Sequence, residues 1–232
     1  MSAPASTSIV FDDVRHAFGD RPVLHGVSVE LTQRRIGIVG ANGSGKSTMA
    51  RMMNGLILPA SGTVTVNGME VRKNKRKVRR EVGFIFSDPD RQIIMPTVAE
   101  DIELSLSRIV ADKAERRARA HEVLADFGLA GHADQPAHQL SGGQKQLLAL
   151  AAVMVVGPSI LVADEPTTML DLRNSLMLRT TFAALSEQLV VLTHDLEMLD
   201  DFERVLVLDD GRVVADDEPA PALAYYRDLM SR

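Results

Sequence analysis

An α/β fold is predicted, with a parallel-sheet core, an antiparallel β edge and an inserted helical block, and three observations predict it. Short apolar runs, IGIVG (36–40), SILVADEP (159–166) and LVVLTHD (189–195), read as buried strands of a parallel sheet. A stretch from about residue 97 to 156 reads mostly helical between the first run and the other two. Two hairpin signals, Asn67-Gly68 in VTVNGMEV (64–71) and Asp210-Gly211 in VLVLDDGRVVA (205–215), supply antiparallel pairs, because these dipeptides accept the positive φ of a tight turn.

In chain order, residues 1–8 are small and polar and read as a loose tail. IVFDDVRHAF and VLHGVSVEL alternate apolar and polar positions, as half-buried strands do. STMARMMNGL (47–56) has helical spacing. ADKAERRARAHEVLADFGL (111–129) is amphipathic, with Gly128 near its end as a stop signal. ALAYYRDLMSR reads as a final helix. The expected organisation is one domain over 1–232. Segments 9–96 and 157–215 form its core, 97–156 a helical subdomain, and 216–232 a C-terminal helix.

Composition narrows the function classes. The 232 residues are 45% hydrophobic and 25% charged, ordinary for a soluble globular chain. A formal net charge of −5 argues against a general polyanion binder. The absence of cysteine excludes disulfides, iron–sulfur clusters and thiolate metal sites. No secretory leader is visible at the start. The longest apolar run, Leu147 to Val156, is about half the length needed to span a bilayer. The eleven methionines read most simply as core filler.

GANGSGKS (40–47) carries the first chemistry. It matches G-x-x-x-x-G-K-[ST], follows an expected strand and precedes an expected helix. Its glycines let backbone N–H groups turn inward to cradle phosphate oxygens, and the helix adds its positive end. Lys46 can reach the β- and γ-phosphates, and the Ser47 hydroxyl can ligate Mg²⁺. The strand in SILVADEP ends in Asp164 and Glu165. Asp164 is expected to hold Mg²⁺ and Glu165 to orient or deprotonate an attacking water. His194, after VVLT, is expected to hydrogen-bond the γ-phosphate or the water.

LSGGQ (140–144) raises a question, because it offers a second backbone-rich anion site with no lysine and no strand before it. Its simplest reading is a helix cap with a flexible lead-in. Ser141, Gly142, Gly143 and Gln144 can also offer N–H, hydroxyl and amide groups to a phosphate held elsewhere.

Taken together, GANGSGKST, LSGGQKQ, LVADEPTTMLD and LTHD, in this order and spacing, resemble the ATP-binding subunit of an ABC transporter over about residues 8–215. The resemblance implies a P-loop NTPase (RecA-like) core and an ATPase with ATP and Mg²⁺ as cofactors. It implies two subunits paired head to tail, so that the LSGGQ of one closes over the ATP held by the other. On this resemblance Phe18 in VRHAFGD is the adenine platform, and Gly40, Asn42, Gly43, Ser44, Gly45, Lys46, Ser47 and Thr48 bind ATP. Ser47 and Asp164 hold the metal, and Lys46, Glu165 and His194 are catalytic. Ser141 to Gln144 form the trans signature, and Asp171 belongs to the intersubunit D-loop.

GFIFSDPDRQIIMPTVAEDI (83–102), with TTMLD, resembles the ATPases of energy-coupling-factor importers, most of all those of biotin uptake, then those of cobalt and nickel uptake. That implies an integral-membrane coupling subunit, a small substrate-binding membrane protein, no nucleic-acid partner, and a peripheral location on the cytoplasmic face of the membrane. A soluble ABC ATPase for cofactor assembly is the alternative. One departure stands out. The family's glutamine after the apolar strand is replaced by Ser87, which is too short for the same metal contact without a bridging water. Gln92 follows five residues on and is no obvious substitute. Finally, RKNKRKVRR (72–80) has seven basic residues of nine and reads as a solvated loop after the hairpin, with attraction to anionic lipid headgroups as the sharper alternative.

Overall fold

The computed structural model describes residues 7–231. Residues 1–6 of the expected tail and the terminal Arg232 lie outside the described residues. Ser8 is not loose: its N–H donates to Asn67 Oδ1 at 3.0 Å. The chain divides into two compact units. Unit 1 comprises residues 1–83, 159–165 and 186–232; unit 2 comprises 84–158 and 166–185. The expected helical segment 97–156 lies inside unit 2, which also takes in 84–96 and 166–185.

Unit 1 holds two sheets. β1 (Ile9–Phe18), β2 (Arg21–Leu31), β4 (Ser61–Val66) and β5 (Met69–Glu70) form an antiparallel sheet of order β2-β1-β4-β5. Its turn at Asn67 (φ 47°) and Gly68 (φ 75°) uses the left-handed conformations the sequence signals. The larger sheet uses β3 (Arg35–Val39), β7 (Ile160–Asp164), β8 (Gln188–Leu192), β9 (Arg204–Asp209) and β10 (Arg212–Asp217), with β6 (Val82–Ile85) leading out of the unit; its order is β10-β9-β3-β8-β7-β6. Strands β3, β7 and β8 are buried at every residue, and their mutual pairing, like that of β3 with β9, is parallel. That is why their sequences are unbroken apolar runs rather than alternating ones.

Helix α1 (Lys46–Met53) follows β3 after the connecting residues 40–45 and is shorter than the 47–56 stretch expected. The basic run is not a loop. Residues Val71–Glu81 form helix α2, with Val71 and Val78 buried seven residues apart and a non-helical Asn74 between them. Val71 and Val78 are buried on either side of that kink, and lysine and arginine are good helix formers, so burial of the valines favours helix over loop. The C-terminal expectation is also corrected. Residues 216 and 217 complete β10, and helix α7 runs Pro219–Met230, beginning on a proline whose missing N–H costs nothing in the first turn.

Unit 2 is helical: α3 (Val98–Leu106), α4 (Lys113–Asp126), α5 (Gly142–Met154) and α6 (Leu172–Ala184). Val98, Ile102, Leu106, Leu124, Leu148 and Ala151 belong to its core. The Asp112 side chain caps α4 by accepting from the Glu115 N–H, and Gly128 turns the chain at φ 71° just beyond it.

Candidate active site

Three neighbouring parallel strands of unit 1 deliver the chemistry-bearing residues at their carboxyl ends. The phosphate loop follows β3, Asp164 closes β7 and Glu165 follows it, and His194 follows β8. This is where open parallel sheets collect ligands.

The loop is built by steric necessity. A Cβ on Gly40 would lie 2.1 Å from the Leu208 carbonyl oxygen, and Gly43 sits at φ 84°. Gly45 precedes α1 at φ 104° and offers no side-chain cap, so the first N–H groups of that helix are left for a ligand. The Ser44 hydroxyl is buried without a hydrogen-bond partner, an acceptor or donor waiting for one. Lys46 is nearly buried. Its ammonium donates to the Gly40 and Ala41 carbonyls at 2.6 and 3.2 Å, folding over the loop it would serve.

The carboxylates differ in surroundings. Asp164 is buried, accepts from the Ser47 hydroxyl at 2.8 Å, and has Arg51 at 3.6 Å. Burial raises its pKa above the ordinary aspartate value, opposed by Ser47, Arg51 and Lys46. Glu165 takes a left-handed backbone, φ 54°, and its N–H donates to the Leu192 carbonyl at 2.8 Å. That conformation is uncommon for a residue with a side chain, and such strain collects at functional sites. Burial raises the Glu165 pKa too, opposed first by the charge of His194. Its Oε2 accepts from the His194 N–H at 3.1 Å, and Oε1 lies 3.3 Å from His194 Nε2. The same ring nitrogen is 3.0 Å from Asn42 Oδ1 and 3.4 Å from Lys46 Nζ. Burial lowers the Lys46 pKa, the two carboxylates pulling the other way.

A hydroxyl beside a carboxylate, Ser47 with Asp164, fits a hard divalent cation that takes oxygen ligands and keeps several waters or phosphate oxygens. Around the loop lies a cavity of about 330 Å³, lined by Phe18, Arg21, Val23, Ala41, Asn42, Gly43, Gly45 to Thr48, and Glu165. Phe18 is 54% exposed, and the His16 ring meets it edge-on at 4.7 Å. Such a ring can take a flat aromatic ligand on its free face. Arg21 and Val23 were missed by sequence reasoning. They sit in an ordinary strand pattern, and only folding brings Arg21 to the loop, where a Cβ on Gly43 would meet its guanidinium at 3.8 Å. The Asn42–His194 contact likewise had no signal in the sequence.

In unit 2 the second glycine pair is a helix start. Ser141 precedes α5; its hydroxyl accepts from the Gln144 N–H at 3.3 Å, while its N–H donates to Gln144 Oε1 at 2.9 Å. The Gln144 amide nitrogen also lies 3.0 Å from His132 Nε2. Gly143 is required by packing, since a Cβ there would sit 2.2 Å from the Asn174 side chain. Gly142 remains exposed. Asp171 caps α6 by accepting from the Asn174 N–H at 2.8 Å. The loop from Ser87 to Gln92 is tied to α5. Phe86 N–H donates to Gln92 Oε1 at 3.3 Å, Gln92 donates to the Ala149 carbonyl at 3.4 Å, and Lys145 meets Asp90 at 2.7 Å.

Residues 24–168 match the family model described as ABC transporter. An ABC transporter ATP-binding protein of Deinococcus radiodurans is 49% identical over 94% of this chain and 96% of its own length. The biotin transport ATP-binding protein BioM of Rhizobium etli is 46% identical over 97% of this chain and all of its own. The energy-coupling factor transporter ATP-binding protein EcfA1 of Caldanaerobacter subterraneus is 37% identical over 85% and 74%. Among solved structures, CbiO1 of Clostridium perfringens, described as part of the ABC transporter complex cbiONQ, superposes with a TM-score of 0.82 at 27% identity, over 96% of this chain and 93% of that one.

Proposed function

Because the chain belongs to the ATP-binding subunits of ABC transporters, we propose that it hydrolyses ATP to drive import through an energy-coupling-factor membrane complex, with biotin as the cargo. The observation that carries the ATPase reading is the meeting of Lys46, Ser47, Asp164, Glu165 and His194 at the carboxyl ends of β3, β7 and β8. The import reading is supported by the whole-length similarity to BioM, the similarity to EcfA1, and the resemblance of PDRQ…PTVAEDI to energy-coupling-factor ATPases.

In this reading Phe18 stacks on adenine and the loop from Gly40 to Thr48 wraps the phosphates through its backbone N–H groups. The Lys46 ammonium leaves the Gly40 and Ala41 carbonyls for the β- and γ-phosphate oxygens. Ser47 and Asp164 hold Mg²⁺, which when bound offsets charge on the phosphate oxygens. Glu165 orients a water whose oxygen attacks the γ-phosphorus and accepts its proton as the bond to the β–γ bridging oxygen breaks. His194, already seated between Glu165 and Asn42, holds the γ-phosphate side of that water. Positioning and electrostatics supply most of the acceleration. Ser141 to Gln144 act on the ATP of a second ATPase chain, with Asp171 at the junction of the two. That pairing is what the family resemblance implies for two anion-binding loops in one polypeptide. Among the described residues no helix is long and apolar enough to cross a membrane. In the import reading the chain works at the membrane through integral partners.

Glu165→Gln keeps the shape of the site and removes the base. It is expected to bind ATP with near wild-type affinity and to lose turnover by about 10²–10⁴-fold. Steady hydrolysis within tenfold of wild type overturns the catalytic assignment. The same variant, tagged and loaded with ATP, is expected to recover one coupling membrane protein and a small biotin-binding membrane protein from detergent-solubilised native membranes. Recovery of soluble proteins alone overturns the import reading in favour of cofactor assembly.

A further inference from the structure

Helix α2 takes no part in the site, yet it concentrates the positive charge of the chain. It carries seven basic residues and one acidic one, in a protein of formal net charge −5. All seven are exposed, while Val71 and Val78 are buried beneath them. Beyond the non-helical Asn74, at about 100° per residue, Arg76 and Arg80 lie roughly 160° from the buried Val78 and Lys77 about 100° from it, so the three form a stripe on the exposed side, which Lys73 joins from the turn before Asn74. The flank is fixed rather than free. Arg72 donates to the Pro59 carbonyl, Arg79 donates to the Gly55 carbonyl at 3.0 Å, and Asn74 donates to the Glu70 carbonyl at 3.1 Å. Among the described residues, Lys73 is the member of the stripe seen in an ion pair, with Glu70. Like charges three and four residues apart on an exposed helix repel weakly, and an anionic surface relieves that repulsion.

We propose that the Lys73–Arg76–Lys77–Arg80 stripe of α2 docks on the anionic headgroups of a lipid membrane. The stripe is purely cationic and free of aromatic side chains. It therefore has no platform for stacking bases and no apolar anchor for a protein groove. Headgroup phosphates need neither: they present a diffuse negative plane that rewards clustered lysine and arginine. The contact orients the chain against the bilayer independently of any integral partner, and it weakens as salt screens the charges.

Each basic residue close to an anionic surface contributes about fivefold in partitioning, so reversing three should cost at least about 100-fold. The test is sedimentation of the purified chain with vesicles of phosphatidylglycerol and phosphatidylcholine in equal parts, against vesicles of phosphatidylcholine alone. The wild type is expected to bind the anionic vesicles at low salt and to be released at high salt. The triple variant Arg76→Glu, Lys77→Glu, Arg80→Glu is expected to stay in solution, while Arg76→Lys, Lys77→Arg, Arg80→Lys binds like wild type. ATP hydrolysis and thermal unfolding of each variant report whether the fold survives, since none of these residues lines the ATP cavity. Equal binding to neutral vesicles, no binding to anionic ones, or unchanged binding by the folded triple-Glu variant each overturns the proposal. If the wild type ignores lipid but the triple-Glu variant no longer assembles with integral-membrane partners, the stripe is a protein contact and the lipid assignment fails. The ATPase and import readings stand or fall separately, on Glu165→Gln.

Discussion

Removing the Phe18 ring separates base recognition from phosphate recognition. The ring is 54% exposed and packs edge-on against His16 at 4.7 Å with the planes at 86°. Fully burying a phenylalanine is worth about 1.5–3 kcal/mol, so a ring this exposed contributes only about 1 kcal/mol to folding, plus about 0.5–1.5 kcal/mol from the edge-on contact. That loss is tolerable against a typical stability of about 5–15 kcal/mol, and Phe18→Ala stays folded. Stacking of a base on an aromatic face is worth about 1–3 kcal/mol, so ATP affinity should fall by roughly 5- to 150-fold, centred near thirtyfold. Calorimetric titration with ATP, and in parallel with inorganic tripolyphosphate, measures both halves of the site. Tripolyphosphate affinity should change by less than twofold, and Phe18→Tyr should match wild type for both ligands. An equal loss for tripolyphosphate and ATP refutes the reasoning, because the ring would then be acting through the phosphate loop.

Arg21→Gln removes a cation from the loop end of the cavity and should weaken ATP and ADP by about tenfold while leaving adenosine unchanged; a uniform loss for all three places the guanidinium away from phosphate. Arg204 grips Asp216 through two bonds of 2.6 and 2.7 Å and donates to the Glu30 carbonyl at 2.7 Å. Arg204→Ala should therefore cost about 2 kcal/mol, a fall in Tm of roughly 4–8 °C by calorimetry, and a fall under 1 °C counts against that network. Ser87→Gln restores the side chain common in the family and should leave steady-state ATPase activity within tenfold; a larger change in either direction makes the serine a determinant of mechanism.

Much of the fold was legible because the relevant constraints are local. Ile36 to Val39 and Leu189 to Leu192 read as buried parallel strands since no polar face interrupts them, and both are. Asn67-Gly68 and Asp210-Gly211 predicted hairpins because few other pairs adopt those angles. Helix α2 was misread because its helical signal is two valines in a field of charge. A valine pair seven residues apart is weak evidence until a surface exists to bury it. The C-terminal boundary failed in a similar way. Asp216 and Asp217 are poor strand formers, and pairing with Leu206 and Val205 of β9 holds them in β10.

By itself, the sequence determined the phosphate loop, the two carboxylates after an apolar strand, the histidine after another, and the signature glycines. Each is a short motif whose spacing is set by backbone geometry within a few residues. Only the tertiary structure decided which side chains meet. Residues 152 positions apart, Asn42 and His194, come within 3.0 Å. Ser47 reaches Asp164 across 117 positions, and an arginine from an unremarkable strand joins the loop end of the cavity. Those distances depend on the order β3-β8-β7 in the sheet, which is fixed by burial of whole strands against one another and leaves no local trace.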